Sequence, residues 1–390
     1  MSTAVSSVYV HAPFCARRCV YCDFAVTVRR TGGVEEWLEA LAVEVAWVEA
    51  EGLFAFADRL RTLYVGGGTP SLLGPDAMRG LGEVLGRSRL ESAGAADSSD
   101  TLEWTAEANP ESFTPDVAAG WAAAGVNRIS LGLQTFHEPA LRWMGRLHGP
   151  DGPPRALGIA RESGIENVSV DLIFGLPASV GRSWDDDLNR VLALDVPHVS
   201  LYGLTVEEGT ALGRAVREGR ERPVDEDQYR REFERAAEVL VDAGYEHYEV
   251  SNFARPGARS HHNAMYWEGG AYVGLGNGAH SYAPPVRRWN DRSWEDYRRR
   301  LLDGSSPEGE RETVDEAAHR LERIWLGLRT SDGIPLPAAG SPAAALVSQW
   351  VDSELATLSV DRVRLTTSGW LLLDRLSVEL DACDGVFDLR

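Results

Sequence analysis

Six short apolar segments, each followed by a stretch of helical character, constrain the fold of this chain more than any other feature. The segments are rich in Val, Ile, Leu and Tyr and end near Gly, Pro or Asn, as strands do. They are SVYVHA, RTLYVGGG, LEWTAEANP, RISLGLQTF, NVSVDLIFGLP and HVSLYGLT. Strands that alternate with helices form parallel sheets with right-handed crossovers. Because six units are too few for a closed (β/α)8 barrel, we predict an α/β fold with a partial (β/α)6 barrel.

The connections between these segments have the periodicity of amphipathic helices. After the first segment, apolar residues recur at helical spacing, at Val34, Trp37, Leu38, Leu41, Val45 and Val48. Residues 75–85 and 115–124 follow the same pattern, and Thr114 and Pro115 form a typical helix start. A further helix is predicted over residues 225–243.

Beyond residue 225 the strand–helix alternation stops. We predict three parts: a barrel core (1–225), an extension rich in Gly, His and aromatic residues (226–304) and a C-terminal module (305–390). Residues 303–312 are polar and are interpreted as a linker, and residues 91–100 as a polar loop. Two helices (313–329 and 342–356), a hairpin-like LSVDRVRLT and a final helix (367–380) then predict a mostly helical, winged-helix-like module.

Composition excludes several classes of protein. The chain has 390 residues and a formal net charge of −20, which argues against a nucleic-acid partner. All 39 basic residues are arginine, so neither a Walker-type phosphate loop nor a Schiff-base lysine is present. No apolar run of about 18 residues predicts a transmembrane segment, and no signal-peptide pattern begins the chain. We therefore expect the chain in the cytoplasm.

Three of the four cysteines lie within eight positions directly after the first strand. Cys15, Cys19 and Cys22 have the spacing C-x3-C-x2-C, and three such thiolates can bind three irons of a [4Fe–4S] cluster while the fourth iron stays open. A structural zinc site is the alternative, and it requires a fourth ligand such as His11. Cys383 is remote in the sequence, and we expect it to be a small buried side chain.

Polar residues also follow the other predicted strands. GGGTP (66–70) ends the second strand, Glu107 the third, Gln134 the fourth and Asp171 the fifth. An unpaired buried polar group costs about 1–3 kcal/mol, so this pattern is unusual for core residues. Capping of neighbouring helices or loops is the alternative for each residue. Because parallel strands bring their carboxyl ends to one edge, the pattern predicts a site there.

These motifs together resemble the radical S-adenosylmethionine (SAM) proteins related to oxygen-independent coproporphyrinogen III oxidase. The resemblance extends from Tyr9 to the C-terminal module. It rests on YVHAPFCARRCVYCDF, YVGGGTPSLL, EANPE, NRISLGLQTF, VDLIFGLP and HHNAMYW. Within that family the chain is most similar to the haem chaperone branch.

Two features favour the chaperone branch over the oxidase. The oxidase has a further cysteine two positions after the third cluster ligand, where this chain has Phe24, and a long extension before its first strand. HNAMYW (His262–Trp267) fits the H-N-x-x-Y-W signature of the chaperone branch. One departure is Asn277, where some relatives have cysteine, and it argues against thiol attachment of haem at that position.

The resemblance implies roles for the matching residues. Cys15, Cys19 and Cys22 would bind the cluster. Contacts to SAM at the open iron would come from Tyr9, Gly67, Gly68, Thr69 and Glu107. The residues that match a second SAM or substrate pocket of the oxidase are Gln134, Arg146 and Asp171. The candidate haem ligand is His262, with His261 and His280 as the alternatives.

The function implied by the resemblance is that of a haem carrier. Its cofactors would be the cluster, SAM and haem, and its partners haem-accepting apo-proteins, including respiratory ones, and an electron donor for the cluster. The alternative is an enzyme, either an oxygen-independent coproporphyrinogen III oxidase or a radical-SAM methyltransferase. Phe24 in place of the oxidase's extra cysteine is the residue that separates the two interpretations.

Overall fold

A computed structural model describes residues 2–30, 32–91 and 101–383 of the chain. Residues 92–100, most of the predicted polar loop, lie outside the described residues. The strands are β1 (Thr3–Val5), β2 (Ser7–Ala12), β3 (Phe14–Cys15), β4 (Thr27–Val28), β5 (Phe54–Phe56), β6 (Thr62–Gly67), β7 (Glu103–Ala108), β8 (Arg128–Gln134), β9 (Asn167–Phe174), β10 (His198–Gly203), β11 (Glu246–Glu249), β12 (Asn252–Ala254), β13 (Val273–Leu275), β14 (His280–Ala283), β15 (Val286–Asn290), β16 (Glu308–Thr313), β17 (Ile334–Pro335), β18 (Ala356–Leu358) and β19 (Arg362–Leu365). The helices are α1 (Val34–Glu51), α2 (Ala77–Leu85), α3 (Pro115–Ala124), α4 (Glu138–Met144), α5 (Gly152–Glu162), α6 (Trp184–Ala193), α7 (Ala211–Arg217), α8 (Glu226–Asp242), α9 (His261–Trp267), α10 (Trp294–Leu302), α11 (Glu316–Leu328), α12 (Pro342–Asp352), α13 (Thr367–Trp370) and α14 (Leu373–Asp381).

The chain divides into two compact units that interleave along the sequence. The first comprises Met1–Asp225 with Ala271–Thr313, and the second comprises Glu226–Gly270 with Val314–Arg390. The predicted boundary at residue 225 coincides with a boundary between the units.

The predicted extension, 226–304, contributes to both units. Its later part belongs to the first unit because β13 pairs in parallel with β2, residue Gly274 opposite Tyr9. Its earlier part, with α8, α9 and the hairpin β11–β12, belongs to the second unit.

Seven parallel strands of the first unit form the sheet that positions the candidate site. Their order is β10-β9-β8-β7-β6-β2-β13. Six of them are the six predicted segments, which confirms the predicted partial barrel. The seventh, β13, has only three residues, too few for a recognisable alternation of polar and apolar positions.

Side chains of these strands alternate between an apolar and a polar face, as the two-residue period of a strand requires. Val8 and Val10 of β2 are fully buried and apolar. The alternate positions are polar and bond across strands: the Tyr64 hydroxyl donates to Glu107 at 2.9 Å, and the Ser130 hydroxyl donates to Asp171 at 3.1 Å. The polar face therefore continues from the strand ends into the sheet.

Strand β16 corrects the predicted linker. The sequence predicts a linker over residues 303–312, but Glu308–Thr313 pair antiparallel with β15. The prediction is wrong there because this strand is mostly exposed and charged, so no apolar alternation marks it. The side chains of this strand form ion pairs instead of apolar contacts, between Arg287 and Glu312 at 2.8 Å and between Arg311 and Glu308 at 2.7 Å.

The second unit contains the predicted helical module. Helix α8 agrees with the predicted helix over 225–243, and α11, α12 and α14 agree with the three later helices. Strands β17, β19 and β18 form a small antiparallel sheet beside them, which is the wing of a winged-helix-like arrangement. The Trp370 indole donates to the Leu328 carbonyl at 2.9 Å and is buried in this unit.

None of the described helices combines the length and the apolar character that crossing a membrane requires.

Candidate functional site

A cavity of about 660 Å³ opens at the carboxyl ends of the parallel strands of the first unit. Most of the predicted site residues line it, namely Cys15, Cys19, Cys22, Gly67, Gly68, Thr69, Glu107, Gln134, Arg146 and Asp171. Tyr9 is not among the described residues that line the cavity, because its ring stacks on Tyr64 and its hydroxyl bonds with His11 Nδ1 at 3.1 Å.

The three clustered cysteines lie on the loop between β3 and β4. These short strands pair in parallel and close the loop at its base. Within the loop the Cys22 amide donates to the Cys19 carbonyl at 3.3 Å. The Arg18 guanidinium donates to the carbonyls of Phe24 and Val26 at 3.1 and 3.2 Å. All three thiols are free and line the cavity, so the loop presents them to one space.

The segment that contains β13 and α10 holds this loop from outside. The Asn277 side-chain amide donates to the Ala25 carbonyl at 2.9 Å and to the Arg292 carbonyl at 3.0 Å. Arg292 in turn donates to the Asp23 carbonyl at 2.5 Å. Asn277, which stands where some relatives have cysteine, therefore anchors the cysteine loop in this chain.

Three free thiols that line one cavity match the protein ligands of a [4Fe–4S] cluster with one open iron. Among the described residues, no group of three or more His, Cys, Asp or Glu side chains is close enough to hold one metal ion. A cluster separates its thiolates because each binds a different iron. His11 is a poor fourth zinc ligand, since its Nδ1 bonds with Tyr9 and its Nε2 with the Ala25 carbonyl.

Burial raises the pKa of two of the thiols, Cys15 and Cys22. The pKa of Cys15 rises to about 11, partly offset by a hydrogen bond from Thr69. Without a metal these thiols are protonated near neutral pH. Iron binding must therefore release protons, as is general for thiolate sites.

The space beside the glycines at the end of β6 is occupied by residues 11–14. Gly67 has a φ of 106°, a left-handed conformation that favours glycine. A Cβ at Gly68 would lie 2.7 Å from the Ala12 carbonyl oxygen and 2.8 Å from that of Phe14. The three glycines thus allow β6 to turn against the cysteine loop, and this close packing between the two segments explains why larger residues are absent.

Two half-buried carboxyls face the cavity. Glu107 accepts hydrogen bonds from the Gly67 amide and the Tyr64 hydroxyl, both at 2.9 Å. Burial, and then the charge of the neighbouring Asp171, raise its pKa to about 7. Burial also raises the pKa of Asp171 to about 6, against hydrogen bonds from Ser200 and Ser130. Among the described residues neither carboxyl forms an ion pair, so the pair offers a place for a cationic ligand group.

Arg146 and Gln134 complete the cavity wall. The Arg146 guanidinium donates to the Asn109 side-chain oxygen at 2.6 Å and to the Gly132 carbonyl at 2.5 Å. Its buried Nε has no hydrogen-bond partner among the described residues. Gln134 ends β8 with a φ of 69°, beside an irregularity in the pairing of β8 with β9. A buried donor without a partner is the feature expected where a polar ligand binds.

One residue of the cavity wall, Asn109, was not evident from the sequence, and the exposure of another, Phe24, was not predicted. Asn109 lies two residues after Glu107 in EANPE and bonds to both Arg146 and Thr69. Phe24 lines the cavity and is 60% exposed. The signal that could identify Asn109 is its position, because it directly follows β7, whose end lies at the cavity.

The histidines considered for haem differ in exposure. His262 lies on α9 of the second unit, is 1% exposed, and its Nε2 bonds with the Tyr266 hydroxyl at 3.0 Å. His261 precedes it and is exposed. His280 lies on β14 of the first unit, is exposed, and stacks on Trp289 with ring centroids 5.3 Å apart.

Comparison with known proteins gives the same assignment as the motifs. Residues 9–191 match the profile of the radical SAM superfamily. The chain is 38% identical over 374 residues to the heme chaperone HemW of Mycobacterium tuberculosis (strain H37Rv), which covers 94% of this chain and 92% of the relative. It is 33% identical over 330 residues to the heme chaperone HemW of Bacillus subtilis, covering 85% of each chain.

Among solved structures the fold is similar to coproporphyrinogen III oxidase (HemN) from Escherichia coli, described as a radical SAM enzyme. The TM-score is 0.77 over 96% of this chain and 90% of that chain, at 20% sequence identity. At that identity the similarity concerns the fold alone. The coverage and identity of the chaperone relatives decide the family: the chain belongs to the radical SAM superfamily and, within it, to the HemW family.

Proposed function

We propose that this chain is a haem carrier that binds a [4Fe–4S] cluster, SAM and haem, and that it delivers haem to acceptor apo-proteins in the cytoplasm, including respiratory ones. One observation supports the proposal most strongly. Three free thiols and two half-buried carboxyls line the same cavity, in a chain that matches relatives named as heme chaperones over nearly its whole length.

Each group in the cavity has a part that its chemistry supports. Cys15, Cys19 and Cys22 would hold three irons, because their three free thiols line one cavity. Glu107 and Asp171 would take the positive charge of the SAM ammonium. When bound, the cluster supplies a single electron to SAM. The protein positions both groups and limits access of water and oxygen.

For haem we propose an axial histidine in the aromatic segment. His262 fits the family motif, but it must leave its bond with Tyr266 to reach an iron. His280 is exposed as a residue, but partial burial of its imidazole, together with Arg287, lowers its pKa, so the imidazole is neutral at pH 7. Neutral imidazole is the form that binds iron. The adjacent Trp289 ring would cover part of the haem face.

The second candidate is a coproporphyrinogen oxidase, which would need the same cavity. The similarity of the fold to that enzyme favours it. Phe24 argues against it, because a phenyl ring cannot replace the cysteine that the oxidase has at this position. An exposed phenyl ring at the cavity wall suits contact with an apolar surface instead.

Anaerobic reconstitution with iron and sulfide, followed by haem titration, tests the proposal. We expect about four irons and one haem per chain. Absorption spectra of His261→Ala, His262→Ala and His280→Ala variants identify the axial ligand, since only one should lose the wild-type haem bands. His319→Ala, an exposed histidine on α11, is the matched control. Haem bands unchanged in all three variants would contradict the proposed segment.

A further inference from the structure

A chain of hydrogen bonds connects two of the cluster cysteines through a residue that no motif assigned. The Thr69 hydroxyl donates to Cys15 Sγ at 3.4 Å. Asn109 Nδ2 donates to Thr69 Oγ1 at 3.1 Å, and Asn109 Oδ1 accepts from Arg146 at 2.6 Å. The other terminal nitrogen of Arg146 lies 4.0 Å from Cys19 Sγ. Asn109 is therefore the central residue between the two thiols.

We propose that Asn109 is a positioning residue for the cluster, acting through Thr69 and Arg146 to set the reduction potential. This inference rests on the proposed function in one respect, because it requires a cluster on the three cysteines.

The direction of each hydrogen bond between Arg146, Asn109 and Thr69 follows from which of their atoms can donate and which can accept. A guanidinium can only donate, so the Asn109 side chain must turn its oxygen towards Arg146. Its amide nitrogen then faces Thr69 and donates to the hydroxyl oxygen. That hydroxyl has its hydrogen left for Cys15. An asparagine at position 109 thus orients the Thr69 hydrogen towards sulfur.

This series of hydrogen bonds places the Thr69 hydroxyl hydrogen and the Arg146 guanidinium beside the cysteine sulfurs. Arg146 is half-buried in the cavity wall with its Nε inaccessible, and its second contact, to the Gly132 carbonyl at 2.5 Å, fixes the guanidinium there. Hydrogen bonds to cluster sulfurs and nearby positive charge stabilise the reduced cluster, because reduction adds negative charge. Intact Asn109 should therefore hold the potential higher than it would be without this residue.

Aspartate at position 109 has the same shape as asparagine but reverses the direction of the hydrogen bond to Thr69. A carboxylate still accepts from Arg146, but it also accepts from Thr69, so the Thr69 hydrogen turns away from Cys15. The negative charge of the aspartate also disfavours the reduced cluster and so lowers its reduction potential. Asn109→Asp should thus lower the potential. Thr69→Val should lower it by loss of the hydroxyl, whereas Thr69→Ser should keep it near the wild-type value.

The experiment measures the midpoint potential of the reconstituted full-length protein by EPR at a series of fixed potentials, with iron content determined for each sample. Expected are wild-type iron contents with lower midpoints for Asn109→Asp and Thr69→Val. In the double variant the shift should be smaller than the sum of the two, since Asn109 acts partly through Thr69. Asn189→Asp, the same change at an exposed position of α6, is the control.

The outcomes separate the inference from the proposed function. If Asn109→Asp or Thr69→Val binds iron normally and keeps the wild-type midpoint, the inference is overturned. Should Asn109→Asp lose its iron, Thr69→Val and Thr69→Ser still decide, because their midpoints must differ from each other. Wild-type protein that takes up no iron would contradict the proposed function instead.

Discussion

Replacement of Glu107 by glutamine tests whether this carboxylate pairs with the ammonium of SAM, because the pairing makes the affinity for SAM depend on pH. Burial and the neighbouring Asp171 raise the pKa of Glu107 to about 7. A ligand ammonium pairs with the ionised carboxylate, so any proton on Glu107 must leave when the ligand binds. Glutamine keeps an oxygen that can accept from the Gly67 amide, but it cannot ionise.

The size of the effect follows from the pKa. With a pKa of about 7, the ionised fraction of Glu107 falls from roughly nine-tenths at pH 8 to roughly one-tenth at pH 6. The affinity of the wild-type protein for SAM should therefore fall about tenfold over this range through Glu107, or about 1.4 kcal/mol. The amino group of SAM also titrates, near pH 8 or about 7.7–8.0 for an ordinary α-amino group. That contribution is common to both proteins and cancels in the ratio of their Kd values.

Calorimetric titration of SAM into cluster-loaded protein under nitrogen, at pH 6, 7 and 8, measures this ratio. We expect the Kd of Glu107→Gln divided by that of the wild type to rise about tenfold from pH 6 to pH 8. The exposed Glu138→Gln on α4 should give a constant ratio near one. A ratio for Glu107→Gln that does not change with pH would refute the assignment of Glu107 to the ammonium.

Glu107→Gln, which should weaken SAM binding, should at the same time stabilise the ligand-free protein. The pKa of Glu107 is raised from 4.5 to about 7 on folding, so its carboxyl favours the folded state below pH 4.5 and loses this contribution as pH rises through 7. Glu107→Gln should therefore raise the free energy of unfolding at pH 8, by up to about 3 kcal/mol. Urea unfolding at pH 8 checks this, and equal or lower stability of the variant would contradict it.

Three further predictions concern the cluster, the packing and the glycine loop. Cys19→Ser should lose most reconstituted iron and sulfide while Cys383→Ser keeps them, and equal loss in both would contradict the three-ligand arrangement. Glu44→Ala should lower the free energy of unfolding by at least about 3 kcal/mol, because the buried Glu44 carboxylate accepts from Gly276, Asn290 and Tyr297; urea unfolding that shows a loss under about 1 kcal/mol would count against this. Gly68→Ala should weaken SAM binding about tenfold or more, because its Cβ meets backbone carbonyls at 2.7 and 2.8 Å; unchanged affinity in calorimetry would remove this loop from the site.

The central sheet could be predicted from the sequence because its strands combine a buried apolar face with clear ends. Glu107 and Asp171 could be predicted to lie at the cavity for the same reason, since each is a polar residue in a strand that is otherwise largely apolar. Strand β16 could not, because Glu310 and Glu312 are exposed and give no alternation. The short β13 had no pattern to identify, although its pairing with β2 divides the predicted extension between two units.

Contacts that depend on side-chain direction were also beyond the sequence. The resemblance implies Tyr9 as a SAM contact, and the structure adds that its ring stacks on Tyr64 and that Tyr9 is not among the described residues that line the cavity. The motif favours His262 as a haem ligand, but motifs do not reveal that this ring is 1% exposed. Asn109 became a candidate only when its two hydrogen-bonding groups could be assigned to Thr69 and Arg146.

The most direct test of the account is titration of haem into anaerobically reconstituted protein, with coproporphyrinogen III turnover followed in the same preparation. The account predicts saturation at about one haem per chain and no conversion of coproporphyrinogen, because Phe24 stands in place of the oxidase's cysteine. Cluster-loaded protein that ignores haem but converts coproporphyrinogen with stoichiometric SAM cleavage would contradict it and make this chain an oxidase.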